Sequence, residues 1–246
     1  MSDSAVLPNE EIGKKSGLGT PFNRPKFAIM NPELTYTLPK YQIACGIADI
    51  MMHTLERYFI PNQKNRLTDE IAEGVLRTVI DNGRIAVQNQ ADYDAMSEIM
   101  WCGSLSHNDL TGLGRVKDFS VHKFGHALSA KFDVAHGASL TTIWGHWANY
   151  VYENDLERFK HYAKAVWGIE TEDAKCAAEE AIACTVAYFK EIGMPTCLTE
   201  LGVGLQTKEV LRELSLDATM GGTIELSHIR KLNVEDVYEI FSMANR

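Results

Sequence analysis

The chain has 246 residues, of which 45% are apolar and 23% charged, a balance that excludes a disordered chain. Its 24 basic and 33 acidic residues leave a formal charge of −9. No run of Lys and Arg offsets that charge, which argues against a nucleic-acid surface, and no apolar run reaches the roughly 18 residues of a membrane span.

The amino-terminal MSDSAVLPNEE is acidic and has no apolar core, so it does not read as a secretory signal. Gly, Pro and Asn recur in GLGTPFNRP and MNPELTYTLP, which predicts loop and short extended pieces over residues 1–39. Within them, residues 26–30 (KFAIM) and 34–38 (LTYTL) are candidate short strands. Pro39 suits a first helical turn, and a helix is predicted over residues 40–59. Thr68 reads as the cap of the next helix, with Asp69 and Glu70 set against its dipole. Ile71, Val75, Leu76, Val79 and Ile80 form its apolar stripe, and Asn82-Gly83 is its predicted end.

Further helices are predicted over residues 93–105, 119–131, 137–152, 156–167 and 172–192, with two short ones near 207–216 and 234–245. The sum is one mostly α domain with an irregular amino-terminal appendage. The five cysteines, Cys45, Cys102, Cys176, Cys184 and Cys197, are odd in number, scattered and without a C-x-x-C pair. They read as small buried hydrophobes of a chain kept in a reducing cytoplasm.

Chemistry concentrates in the histidines. Of eight, five fall between residues 107 and 146: His107, His122, His126, His136 and His146. Upstream, GIADIMMHTLERY sets Asp49 and His53 one helical turn apart on one face, with Glu56 on the same side. A carboxylate and an imidazole on adjacent turns suit Zn²⁺ or Fe²⁺, although the pair alone is also what a surface Asp–His hydrogen bond looks like. SVHKFGHALSAKFDVAHGASL supplies His122, His126 and His136. Spacing does not say which two of these three would bind a metal. Lys123 stands where H-E-x-x-H metalloproteases carry their general-base glutamate. There is no G-x-S-x-G elbow and no phosphate-binding G-x-x-x-x-G-K-[ST] loop. G-x-G occurs at Gly17–Gly19 and Gly112–Gly114 without a third glycine in register.

RPKFAIMNPELTYTLP, GIADIMMHTLERYF, LTDEIAEGVLRTVI and FGHALSAKFDVAHGASL, in that order, resemble the iron-containing (group III) alcohol dehydrogenases, and within them the butanol dehydrogenase branch. The resemblance implies the multi-helix metal-binding domain of the dehydroquinate synthase-like/iron alcohol dehydrogenase type. It implies one divalent metal, iron or zinc, held by Asp49, His53, His122 and His136, with His126 a non-ligand lining the catalytic cleft. Glu56, His107 and His146 then take supporting or structural places. The reaction implied is metal-assisted hydride transfer between NAD(P) and a small alcohol or aldehyde such as butanol or its aldehyde.

Members of the family begin with a nucleotide-binding α/β domain. Residues 1–38 resemble its last strands and linker, and residues 39–246 the helical catalytic domain. Without the glycine-rich pyrophosphate segment these 246 residues are expected to turn over little. The face toward the nucleotide-binding domain is expected to favour a homo-oligomer. Two other classes are a helical metallohydrolase, with the same ligands activating water, and a metal-free helical interaction module with packed histidines.

Overall fold

The computed structural model describes residues 3–9, 14–61 and 65–246. Strands β1 (Ser4–Asn9) and β2 (Lys14–Gly19) pair antiparallel, with Ser4 opposite Gly19. The candidate strands at 26–30 and 34–38 are not strands. Asn31 accepts from the Glu33 N–H and caps a 3₁₀ turn over Pro32–Thr35, and the proline-bounded stretch before it has no partner strand. Local polar capping outweighs β-propensity where no neighbour completes the ladder.

Nine α-helices follow among the described residues: α1 (Lys40–Tyr58), α2 (Arg66–Ala86), α3 (Tyr93–His107), α4 (Ser120–Phe132), α5 (His136–Val151), α6 (Leu156–Trp167), α7 (Ala174–Glu191), α8 (Lys208–Ala218) and α9 (Val234–Ala244). Four of the nine, α1, α3, α6 and α9, begin at the predicted residue. Asp92, Asp155, Asp173 and Thr207 each accept an N–H of the first turn, and Asn233 with Asp236 makes a capping box. No described helix is long and apolar enough to cross a membrane.

α2 differs from its predicted limits at both ends. It starts at Arg66, and Thr68 lies inside the first turn, where its hydroxyl donates to Asn65 and to the Leu113 carbonyl. It also runs through Gly83. That glycine is there for close approach, since a Cβ would collide with the Tyr188 hydroxyl of α7. The cysteines are not uniformly buried either: Cys176 is exposed and Cys184 half-buried, because neither belongs to the buried stripe of α7.

α1 is the central element and packs against α2, α3, α4 and α5. Thirteen of its side chains are buried, from Ile43 to Tyr58. Past its end, Phe59 stacks on Phe159 with centroids 4.4 Å apart and meets Trp144, Trp147 and Tyr162 edge-on or tilted. The segment leading into α4 is tied down by charge. Asp69 of α2 accepts from both terminal nitrogens of Arg158 and from Arg115, and Arg158 Nε donates to the Tyr58 carbonyl. This junction holds the end of α1, the start of α2, α6 and the loop before α4 in one place.

Candidate metal centre

Asp49 and His53 stand on adjacent turns of α1, on the face that meets the first turns of α4 and α5. α4 carries His122 in that first turn, and α5 opens on His136. The Nε2 atoms of His53, His122 and His136 lie 3.7, 3.6 and 3.5 Å from a single oxygen, Asp49 Oδ1. A tetrahedron of ligands about 2.1 Å from a central cation has edges of about 3.4 Å. Each of the three imidazoles thus stands at about an edge length from the Asp49 oxygen, and Asp49, His122 and His136 have donor atoms all within 4.8 Å of one another, as do Asp49, His53 and His107.

Two further observations fit a cation. Asp49 Oδ1 and His122 Nε2 are buried and have no hydrogen-bond partner. Buried polar atoms left in that state are costly, and a positive ion between them satisfies both. The donor set is one carboxylate and three imidazoles, which suits Zn²⁺ or Fe²⁺. The approach of α5 to α1 depends on Gly137, where a Cβ would collide with the Cys45 backbone.

The surroundings hold these side chains in orientation. Glu56, buried one turn beyond His53, accepts from the Nδ1 of His122 and from the backbone N–H groups of Val121 and His122 at 2.6 and 3.1 Å. The N-cap residue Phe119 has no side-chain acceptor; Asp118 takes the Ser120 N–H, and Glu56 takes the next two from another helix. His107, the last residue of α3, approaches Asp49 Oδ2 with its Nε2 at 3.2 Å. Arg57 Nη1 donates to the carbonyls of His53 and Ser106 at 2.7 and 2.5 Å, and its other terminal nitrogen to Asp109. Sequence reading singled out Glu56 and His107 but not Arg57. The available signal was its place four residues after His53.

Electrostatics follow from this crowding. Burial pushes the Asp49 carboxyl up, but the neighbouring imidazoles of His107, His122 and His53 prevail and hold it well below the usual range. Burial and then the charge on His122 drive His53 down to about 2. Burial also opposes a charge on His122, yet Glu56 and Asp49 outweigh it and raise that group to about 9.

His126 lies beside the cluster rather than in it. Its ring stacks on His136 at 5.2 Å and stands 6.1 Å from His122. Among the described residues the groups spaced to hold an ion are Asp49, His122 and His136, and Asp49, His53 and His107; His126 belongs to neither. His146 is elsewhere, bonded to the Thr196 carbonyl.

Residues 43–245 match the sequence profile of the Fe-containing alcohol dehydrogenase family, C-terminal region. The chain belongs to that family. The NADH-dependent butanol dehydrogenase A of Clostridium acetobutylicum is 40% identical over 243 residues, covering 98% of this chain and 62% of that protein. The NADPH-dependent aldehyde reductase YqhD of Escherichia coli is 31% identical over 211 residues, covering 85% and 54%. The crystal structure of NADH-dependent butanol dehydrogenase A from Thermotoga maritima superposes with a TM-score of 0.93 at 29% identity, over 100% of this chain and 63% of that one. The helical fold is thus the one the family shares. The chain spans less than two thirds of the length of these relatives.

Proposed function

We propose that Asp49, His53, His122 and His136 hold one divalent cation, iron or zinc. In this reading the chain is the metal-binding catalytic portion of an NAD(P)-dependent dehydrogenase of primary alcohols such as butanol and their aldehydes. The observation that carries the reading is the convergence of three Nε2 atoms on one buried carboxylate oxygen. Membership of the family and the butanol dehydrogenase relatives support it.

A divalent ion bound there supplies Lewis acidity toward an alcohol or aldehyde oxygen. The chain's own residues do the rest of the work on this side of the reaction. Asp49 contributes one negative charge and the imidazoles none, so a net positive charge is left facing the substrate oxygen. Glu56 keeps the His122 ring turned with Nε2 inward. In this reading His126, whose ring stacks on His136, moves the substrate proton toward solvent.

These residues contain no glycine-rich pyrophosphate motif, so the 246-residue polypeptide assayed by itself turns over little. Both reactants must be held at near-attack distance. Phe22, Phe27, Ile29 and Leu34 are each more than three-quarters exposed, which favours self-association that light scattering would detect and a clean monomer would contradict. The thiols suit a reducing cytoplasm.

The direct test joins this chain to the preceding part of a butanol dehydrogenase relative. NADH oxidation should then depend on butanal and be lost in His53→Ala. Ester or phosphoester hydrolysis by the metal-loaded chain, with no need of nucleotide, would favour the metallohydrolase instead.

A further inference from the structure

We propose that the trough between α5, α7 and α9 binds an aliphatic carboxylate, a straight apolar chain with one anionic end. The trough shares no residue with the donor cluster and does not rest on the ligand assignment. Its volume is about 620 Å³, within the range of small-molecule sites. Gly145 lies in its floor where α5 and α7 touch, since a Cβ there would collide with Val186. Nine residue steps of α5 separate Gly145 from His136, a rise of about 13.5 Å away from the donor cluster.

One end of the trough is cationic, lined by Lys190 and Arg246. The carboxylate beside them, Glu200, is already shared. Its Oε1 lies 3.3 Å from Lys190 Nζ, and its Oε2 accepts from the Thr196 N–H and hydroxyl at 2.7 and 2.8 Å. The Arg246 guanidinium has no ion-pair partner among the described residues. The main-chain oxygen of Arg246 is held by the N–H and hydroxyl of Thr199, which does not line the trough. His146 Nε2 donates to the Thr196 carbonyl at 3.1 Å and joins α5 to this end. Lys190 and Arg246 thus offer more positive charge than Glu200 offsets, and an anionic head completes the balance.

Away from that end the lining is apolar. Ile182 is buried and Val186 half-buried, Met243 of α9 adds a flexible thioether chain, and the exposed Ala183 and Ala187 bring only methyl groups. Eight residue steps of α7 separate Ile182 from Lys190, a rise of about 12 Å that suits a chain of medium length. Glu179 stands one turn further, its carboxylate bonded by the Tyr152 hydroxyl at 2.8 Å, and repels an anion there. The charges therefore set one direction, with the head at Lys190 and Arg246 and the tail along Val186 and Ile182.

Titration calorimetry of the full chain with sodium octanoate tests the site. Wild type should bind one octanoate. 1-Octanol, which lacks the charge, and octanedioate, whose second carboxylate meets Glu179, should each bind at least about tenfold more weakly. Lys190→Met and Arg246→Met should weaken octanoate by a similar factor. Ala183→Trp, at an exposed position, should fill the trough and abolish binding with melting unchanged; Ala187→Phe replaces it if that chain does not fold. His53→Ala, at the donor cluster, should bind octanoate as wild type does. No binding by wild type, equal affinity for 1-octanol or octanedioate, or full binding by the folded Ala183→Trp chain would each overturn the proposal. So would loss of binding in His53→Ala, which would place the carboxylate at the donor cluster instead.

Discussion

Glu56 of α1 caps the amino terminus of α4, 65 residues further along the chain, and holds the Nδ1 of His122 with its second oxygen. One buried carboxylate thereby joins the two helices that carry most of the donor cluster, and the proposed ligand His122 cannot turn without breaking the junction. Glu56→Ala leaves two backbone N–H groups and an imidazole without their acceptor. Each buried group so orphaned costs about 1–3 kcal/mol. Urea titration of the metal-free protein should show a loss in that range or beyond, and zinc affinity should fall about tenfold to hundredfold. Glu56→Gln keeps an acceptor for the helix N–H groups and should recover much of the stability.

Gly137 sits where α5 crosses α1, with no room for a Cβ above the Cys45 backbone. Gly137→Ala must push the helices apart and carry His136 away from Asp49. Overpacking of this kind costs about 1–3 kcal/mol. A lowered melting temperature together with weakened zinc binding is expected, and a variant that melts and binds as wild type would show that the crossing is looser than described.

Much of this was legible in the sequence because helix caps and apolar periodicity are local signals. The helix starts after Asp92, Asp155 and Asn233 are set by side chains that accept their own first-turn N–H groups. Where the controlling partner is distant, local reading failed. Gly83 resembles a helix end until Tyr188 of α7 is seen against it. The stretch at residues 26–30 has strand composition but no neighbouring strand. The four proposed ligands could be gathered from sequence only through the family resemblance, since H-x-x-x-H spacing left His122, His126 and His136 equivalent. Arg57 was missed because its contacts to Ser106 and Asp109 arise from the way the end of α3 folds back over α1.

Acid should loosen the junction at Asp69. Burial works against its charge, but Arg158 and Arg115 prevail and hold its carboxyl below the model-compound value of 3.8. A carboxyl whose folded pKa is depressed adds stability that is complete above its unfolded pKa and is lost as pH falls through the folded value. Urea midpoints should therefore be flat with respect to this group above about pH 4 and fall below it. Asp69→Asn should lower stability near neutrality and shrink the acid-side decline. A decline of unchanged size in the variant would assign it to other carboxyls.

His126 separates ligand from bystander. His126→Ala should bind one zinc ion with unchanged affinity, because its ring stacks on His136 without entering the donor cluster. In an enzyme that also carries the nucleotide-binding part, the same change should lower kcat on the order of 10²-fold, the usual worth of a positioned acid–base group. Loss of zinc from His126→Ala, measured by elemental analysis, would place it among the ligands.

Anomalous diffraction at the metal edge, from a crystal of the metal-loaded chain, is the most direct measurement. One peak is predicted, about 2.0–2.2 Å from one oxygen of Asp49 and from the Nε2 atoms of His53, His122 and His136. A peak bound by a different set of side chains, or a crystal grown with saturating metal that shows none between these four, would contradict the account.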